Sequence, residues 1–401
     1  MLPISIPKPA RVAAVLALLA GLTACTGAAG STPSWQPQPD FQGNNDPKPQ
    51  LPNPQLPNPG IATPSLPGNA IPGPTPSGPS GSAPSSPAGT DPNVVATKLV
   101  EPTGLVVLPD GTALVGERKS GKIYRVQPTA GTPAKLVQQL AGVDGSGDGG
   151  LLDLAISPTY DQDGLIYAYL STAADNRVVH FPLGSVPSVV IGGIPKGRTG
   201  NAGRIVFDAT GALLTGTGDA GQPSLATNPT SLAGKILRTD DIGKPQPDNP
   251  VASSPIYARG FSAASGISGL CVDRQSGLRL AVSGDRVFTI KAGANVSGAS
   301  ASATLPAALA GGGGCAVGAG QLAVASATGK ALAISQLGKD GKFGSFTASL
   351  AGAYGRLRTV VAGNDGALWL TTRNRDGFGK PVADDDRVIR ITNPDSTSPT
   401  V

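Results

Sequence analysis

From about residue 97 the chain alternates short apolar runs with polar turns, and no long stretch keeps the 3.6-residue period of a helix. The runs are rich in Val, Leu, Ile and Ala and end at Gly- and Asp-containing turns, which is typical of short β-strands. A unit of turn, strand, turn and strand occurs six times, with turn glycines at Gly111, Gly164, Gly211, Gly277, Gly320 and Gly366. The copies are 43 to 66 residues apart, about the length of a four-stranded blade.

This spacing predicts an all-β fold, a six-bladed β-propeller over residues 97–392. Sheets that pack on both faces need small apolar strands without strict alternation, as observed in these runs. A pair of β-sandwiches is the alternative, but evenly spaced repeats over this length favour a closed ring. The segment 97–107 is expected to supply the strand that closes the ring, beside the run at 386–391.

The N-terminus has the layout of a secretory signal. Lys8 and Arg11 precede an apolar run that is too short to span a membrane comfortably. Residues 1–24 are therefore expected to be removed as a lipoprotein signal peptide, because Leu-Thr-Ala before Cys25 resembles a bacterial lipobox. Lipid on Cys25 would anchor the protein to the cell membrane on its extracytoplasmic side. The alternative is an ordinary signal followed by an incidental cysteine.

Residues 25–96 are expected to form a disordered, proline-rich stalk. The stretch 31–92 holds 18 of the 39 prolines and few apolar side chains, so burial cannot offset the cost of ordering it. A proline-recognition ligand is the alternative function. A short disordered tail is expected at 393–401.

The remaining cysteines, Cys271 and Cys315, are an even pair in a disulfide-permissive compartment, so either a bridge or two buried thiols can be expected. Neither lies in a CxxC motif. The net charge of +5 would fall to +3 once Lys8 and Arg11 are cleaved. There is no basic run with interleaved aromatic residues, so nucleic acid is not an expected partner.

Five phrases of the blade region follow one another in a specific order. They are EPTGLVVLPDGTALVGERKSGKIYRV from 101, GDGGLLDLAISPTYDQDGLIYAYLST from 147, NAGRIVFDATGALLTGTGD from 201, SLAGKILRTDDIGKPQPDNP from 231 and GRLRTVVAGNDGALWL from 355. Together they resemble the glucose/sorbosone dehydrogenase family over residues 97–392. That resemblance implies a six-bladed propeller that uses pyrroloquinoline quinone (PQQ) to oxidise aldose sugars.

In active members of that family, the loop before the third blade reads roughly His-Asn-Gly-Gly-Arg, and its histidine takes the proton of the sugar hydroxyl. This chain has Gly200 at the histidine position, so the resemblance implies that the base is absent. Asp219 matches the carboxylate that orients the histidine and is left without its partner; a structural role in its turn is equally open. The only histidine in the chain, His180, is expected to be structural.

The resemblance also locates the cofactor. Ser262 stands where the family has an arginine that meets the quinone carboxylates, and the family's acidic calcium loop is missing, so calcium is not expected. Arg356 and Arg358 match quinone-facing arginines, and alternate positions on a strand would place both on one side. Asp148 stands where the family has Gln or Glu near the cofactor.

These departures favour an anchored propeller that has lost catalysis and binds a glycan, another anionic ligand or an envelope protein at its channel mouth. The alternative is a divergent PQQ-dependent aldose sugar dehydrogenase in which Asp148 or Asp219 is the base. No GxSxG, HExxH or Walker motif is present, so hydrolysis and phosphoryl transfer have no visible machinery.

Overall fold

The computed structural model describes residues 91–262 and 266–392. They form six four-stranded antiparallel sheets. The first strands of successive sheets contact one another around a closed ring, so the all-β, six-bladed propeller predicted from the sequence is confirmed. The expected signal peptide 1–24, Cys25, most of the stalk and the tail 393–401 lie outside the described residues.

Each of the six sheets is one blade, and four strands make up each blade. The first blade holds β2 (Pro102–Val107), β3 (Ala113–Glu117), β4 (Lys122–Val126) and β5 (Lys135–Gln139); the second, β6 (Leu151–Ile156), β7 (Ile166–Ser171), β8 (Asn176–Phe181) and β9 (Ser188–Ile194); the third, β10 (Gly203–Phe207), β11 (Leu213–Thr217), β12 (Lys235–Thr239) and β13 (Ile256–Arg259). The fourth holds β14 (Gly269–Val272), β15 (Arg279–Ser283), β16 (Arg286–Thr289) and β17 (Ala303–Thr304); the fifth, β18 (Gly312–Gly318), β19 (Gln321–Ser326), β20 (Ala331–Gln336) and β21 (Thr347–Ser349); the sixth, β22 (Leu357–Ala362), β23 (Leu368–Thr372), β24 (Val388–Ile391) and β1 (Val94–Ala96).

Two short helices, α1 (Tyr160–Asp163) and α2 (Pro223–Thr227), and a 3-10 turn at Ala307–Leu309 interrupt the loops. Among the residues that the structure describes, no helix has the length and hydropathy needed to cross a membrane.

Strand β1 closes the ring by pairing with β24, with Val94 opposite Ile389 and Ala96 opposite Val388. The closing strand therefore lies just before the segment 97–107, and that prediction was wrong. The chain turns between the two strands, with left-handed backbone at Lys98 (φ 61°) and Glu101 (φ 49°). Because of this turn, residues 102–107 become the innermost strand of the first blade.

The core lies between blades and not within one sheet. Strands β3, β7, β11 and β12 are buried at every position. A typical interblade cluster joins Tyr167 of the second blade to Phe207 and Leu237 of the third. This two-sided burial explains why the strands do not alternate apolar and polar residues.

Two kinds of cross-link join neighbouring blades. Cys271 of β14 and Cys315 of β18 form a disulfide between the fourth and fifth blades, with their Cα atoms 5.8 Å apart. Asp208, in the turn after β10, pairs with Arg238 (3.1 Å) and with Arg279 of the fourth blade (2.7 Å). The ring of Tyr257 lies 5.7 Å and 5.5 Å from these two guanidinium groups.

Up-and-down topology sends two sets of loops to the same end of the ring: those between the second and third strands of each blade, and those that lead into the next blade. We call this end the mouth. Its loops that matter below are 97–101, 118–121, 140–150, 195–202, 218–234, 350–356 and 373–387. Since each innermost strand starts here, its first residues face the mouth of the central axis.

Candidate ligand site at the channel mouth

The loop 195–202 is held from two sides at Gly200. The Gly200 N–H donates to Asp148 Oδ2 (2.7 Å), and its carbonyl accepts from the Ala220 N–H (2.9 Å). Asn201 reinforces this, since its Nδ2 donates to Asp148 Oδ1 (2.6 Å). Asp148 therefore positions the loop through both carboxylate oxygens.

The structure leaves no space for a side chain at Gly200. Its backbone is left-handed (φ 74°), and a Cβ atom there would lie 2.6 Å from Asp219 Oδ1 and 2.5 Å from the Gly221 nitrogen. The backbone of the neighbouring strand is equally close, because a Cβ on Gly218 would lie 1.9 Å from the Gly200 carbonyl oxygen. In this conformation the loop 195–202 therefore accommodates only a glycine at residue 200.

Asp219 lies beside this loop and is only 3% exposed. Its Oδ1 accepts the Gly221 N–H (2.9 Å). Burial raises the pKa of this carboxyl above its usual value, and the nearby negative charge of Asp148 adds to the rise. Asp219 therefore lies next to residue 200, where the resemblance expects a base. Its carboxylate contacts only backbone atoms there.

His180 lies elsewhere, on β8. Its Nδ1 is 3.4 Å from the Tyr167 hydroxyl, and the two rings meet edge to face with centroids 5.4 Å apart. The Tyr167 hydroxyl in turn donates to the carbonyl of Asp241, in a loop at the rim opposite the mouth. The histidine therefore packs between strands, away from Gly200.

Side chains from opposite blades meet at the axis just inside the mouth. Arg204 of β10 donates from Nε to the Ser268 carbonyl (2.7 Å), and from Nη1 to Asp153 Oδ1 (3.2 Å) and Thr359 Oγ1 (3.3 Å). Arg204 and Asp153 are both buried. Burial raises the pKa of Asp153, and the positive charge of Arg204 opposes that rise.

Arg358 lies in the same region. Its side chain forms no hydrogen bond or ion pair with any residue that the structure describes, and the buried Nη2 of Arg204 also lacks a partner there. Burial lowers the pKa of Arg358 well below its usual range, and the positive charges of Arg204 and Arg373 lower it further, against the opposing charge of Asp153. Since Asp153 is already paired with Arg204, it does not serve as an ion-pair partner for Arg358.

Arg356 differs from Arg358, although both were predicted to face one side of a strand. Arg356 precedes β22 and binds Asp376 through Nη2 (3.0 Å), sharing that carboxylate with Arg373. Arg358 is the extra residue of a bulge, because Leu357 pairs with Thr372 and the next pair is Thr359 with Thr371. The predicted alternation does not apply, because Arg356 lies before the strand and the bulge interrupts the regular pairing at Arg358.

Two other basic groups at the mouth share one acidic partner. Arg118 and Lys119 both contact Glu101, at 2.6 Å and 2.7 Å. Burial alone would raise the pKa of Glu101, but hydrogen bonds from these two side chains outweigh it and lower the pKa. This pairing contrasts with the unpaired guanidinium of Arg358.

Two further positions bear on a cofactor or a metal. Ser262 is exposed, next to residues 263–265 that lie outside the described part of the chain. Asp285 is engaged in the fold, since its Oδ1 accepts the Gly311 N–H (2.7 Å). Over the two described ranges, no group of three or more His, Cys, Asp or Glu side chains is arranged to hold a metal ion.

Neither Asp153 nor Arg204 was predicted from the sequence to be a functional residue. Both were visible as charged residues inside otherwise apolar innermost strands, LLDLAI and GRIVF. A charge buried in such a strand needs a partner, and here Asp153 and Arg204 pair between the innermost strands of neighbouring blades. That signal could have located the group formed by Asp153, Arg204 and Arg358, which we call the axial cluster.

Comparisons with known proteins agree on one family. The sequence model of the Glucose / Sorbosone dehydrogenase family matches residues 99–295. Aldose sugar dehydrogenase YliI of Escherichia coli K12 is 29% identical over 193 residues, covering 44% of this chain and 52% of that protein. Quinoprotein glucose dehydrogenase B of Acinetobacter calcoaceticus is 26% identical over 220 residues, or 45% of its length, so the chain spans about half the length of these curated relatives.

Solved structures match nearly the whole propeller. The PQQ-bound aldose sugar dehydrogenase of Streptomyces coelicolor is 36% identical with a TM-score of 0.69, covering 74% of this chain and 95% of that one. A glucose dehydrogenase-type oxidoreductase of Thermus thermophilus is 32% identical with a TM-score of 0.67, covering 75% and 98%. The chain therefore belongs to the glucose/sorbosone dehydrogenase family.

Proposed function

We propose that this protein is a binding member of its family that has lost catalysis and holds an anionic ligand at the mouth. The observation that carries the proposal is the contrast between two positions. Gly200 offers no proton acceptor and no space for one, while Arg358 keeps a guanidinium group that has no ion-pair partner among the described residues. Residue 200 therefore cannot take a proton from a sugar hydroxyl, whereas Arg358 can still bind an anion.

Oxidation of a sugar hydroxyl needs a group that accepts its proton within hydrogen-bond reach. The two carboxylate oxygens of Asp148 accept hydrogen bonds from the Gly200 N–H and from Asn201 Nδ2. His180 packs against Tyr167 on β8. Neither side chain is placed to take over the role that the resemblance assigns to residue 200.

The residues present do not fit a catalytic PQQ site. Arg358 could receive one carboxylate of the quinone, but Arg356 is held by Asp376, and Ser262 replaces the arginine that the resemblance expects. A serine hydroxyl cannot supply the charged, two-pronged contact of a guanidinium group. We therefore derive no reaction step through the cofactor.

An anion is the ligand class that this mouth favours. Arg358 is a partly buried cation without an ion-pair partner among the described residues, and a bound carboxylate or phosphate would supply that partner. A carboxylated or phosphorylated glycan, or an acidic segment of an envelope protein, would meet this requirement. Lipid on Cys25, which lies outside the residues that the structure describes, would keep the propeller at the extracytoplasmic face of the membrane.

A second candidate is a divergent PQQ-dependent aldose sugar dehydrogenase with Asp219 as the base. Two observations favour it: the raised pKa of Asp219 makes its carboxylate a stronger base, and a relative with 36% identity binds PQQ. Against it, Asp219 Oδ1 already accepts the Gly221 N–H.

The test is a titration of the full chain with PQQ, with and without calcium, that follows the melting temperature and the cofactor absorbance. The same protein is then titrated with glucuronate and with glucose. We expect no saturable PQQ signal, together with a rise in melting temperature with glucuronate alone. Saturable PQQ binding accompanied by dye-linked sugar oxidation would overturn the proposal in favour of the dehydrogenase.

A further inference from the structure

A second basic site lies on the mouth side between the fifth and sixth blades. A cavity of about 220 Å³ opens there, bordered by the turn after β19 and by the loops 350–356 and 373–387. Its lining includes four basic residues and one acidic residue. We call it the basic pocket and define it by Lys330, Tyr354, Arg356, Lys380, Asp385 and Arg387.

Two of the four positive charges remain unbalanced. Arg356 pairs with Asp376, and Arg387 lies 3.1 Å from Asp385. The ammonium groups of Lys330 and Lys380 are exposed and have no hydrogen bond or ion pair with any residue in the described ranges. The basic pocket therefore presents two free cations from two different loops.

The walls of the basic pocket are held by their own hydrogen bonds. Asn374 Oδ1 accepts the Arg356 N–H (2.8 Å), and Asn374 Nδ2 donates to the Tyr354 carbonyl (2.9 Å). The Gly352 N–H donates to the Lys330 carbonyl (2.9 Å). A ligand would meet a preformed cavity, which lowers the entropic cost of binding.

An aromatic ring lies beside the basic pocket. Phe378 is 82% exposed, and the Arg356 guanidinium group lies 5.7 Å from its ring centroid. Phe378 directly precedes Gly379 and Lys380, which line the cavity. An exposed aromatic face next to a charged cavity is suited to a ligand with one apolar ring face and one anionic group.

We propose that the basic pocket binds the phosphate or carboxylate group of a sugar-sized ring compound, with Lys330 and Lys380 on the anion and Phe378 on the ring. The cavity is smaller than the roughly 300–1,000 Å³ of sites for larger ligands, which limits the bound part to about one ring. None of Arg204, Arg358 and Asp219 lines it. The site is therefore separate from the axial cluster at the mouth.

The experiment measures binding of glucose 6-phosphate, glucuronate, inorganic phosphate and glucose to the full chain by titration calorimetry. We expect the two sugar anions to bind, phosphate to bind more weakly, and glucose not to bind. A Lys330→Ala/Lys380→Ala double variant should weaken sugar-anion binding about tenfold or more, because it removes both free charges. Phe378→Ala should weaken the sugar anions and leave phosphate unchanged.

The matched control is Lys291→Ala/Lys339→Ala, which removes the same net charge from exposed lysines in loops at the opposite rim. An equal loss in this control would show a non-specific charge effect and overturn the site. Loss in Arg358→Met but not in the Lys330/Lys380 variant would assign the ligand to the axial cluster and overturn the proposal in the same way. Absence of any anion binding to the wild type would refute it directly.

Discussion

A side chain at Gly200 would bring its Cβ to 2.6 Å from Oδ1 of Asp219, so the carboxylate occupies the space that a base at this position would need. We predict that Gly200→His does not restore sugar oxidation and that it destabilises the fold. Left-handed backbone alone costs a non-glycine residue about 1 kcal/mol, and the close contact adds to this. Dye-linked oxidation with added PQQ and thermal melting would test both parts.

Gly366→Ala is the matched control for this contact. Gly366 has nearly the same backbone angle (φ 77°), but a Cβ there would meet no atom within 4 Å. Gly366→Ala should cost about 1 kcal/mol, and Gly200→Ala should cost at least twice as much. Equal costs would mean that the loop 195–202 can move away from Asp219.

The unpaired guanidinium of Arg358 should make the free protein less stable. We predict that Arg358→Met raises the free energy of unfolding by about 1 kcal/mol, because it replaces a partly buried charge, without an ion-pair partner among the described residues, by an apolar chain of similar length. The same variant should reduce the rise in melting temperature that glucuronate produces in the wild type, by the part that comes from binding at Arg358. A clear fall in stability without ligand would show that Arg358 has a structural partner.

Arg204→Met should act in the opposite direction. Arg204 contacts Asp153 at 3.2 Å with both side chains buried, so its removal leaves a buried carboxylate without its pair. The expected cost is about 3 kcal/mol in the free energy of unfolding, measured by urea denaturation. A stability change of the same sign in the two arginine variants would contradict the assignment of charges at the axis.

The two ion pairs of Asp208, with Arg238 of its own blade and Arg279 of the next, should make stability depend on acid pH. Burial alone would raise the pKa of Asp208, but hydrogen bonds from Thr210, Arg279 and Arg238 outweigh it and lower the pKa to about 2. A lowered pKa means that the stabilisation is complete above the unfolded-state value of 3.8 and is lost as the pH falls from there towards 2. Urea unfolding at pH 5 and at pH 2.5 would measure this loss.

Asp208→Asn is the matched variant for that measurement. It should be about 3 kcal/mol less stable than the wild type at pH 5, because Arg238 and Arg279 lose a shared buried partner. The difference should shrink at pH 2.5. A difference that stays constant with pH would mean that the charge of Asp208 contributes nothing.

The disulfide between Cys271 and Cys315 closes a chain segment with a sequence separation of 44 residues. By the chain-entropy relation, a loop of this length is worth about 4 kcal/mol. We predict that a Cys271→Ala/Cys315→Ala variant loses up to about that amount in urea unfolding. Addition of a reductant should destabilise the wild type and leave the variant unchanged.

The sequence by itself determined the class of fold and the number of blades. Turn glycines such as Gly111 and Gly366 mark a repeat of fixed size, and a short apolar strand between such turns has few alternatives to a β-sheet. It also determined which chemical groups are absent, since a glycine at residue 200 carries no base in any fold. Features that depend only on residue type and spacing could be predicted from the sequence in this way.

Tertiary structure decided how these groups meet. The closing strand at Val94–Ala96, the bulge at Arg358 and the filled space beside Gly200 arise from contacts between segments far apart in the sequence. A strand pattern cannot show them, because a turn or a bulge changes the direction of every side chain that follows. Arg358 likewise has no ion-pair partner among the described residues because of the fold. The distances between its guanidinium group and the carboxylates are set by how the strands pack and cannot be predicted from the order of residues.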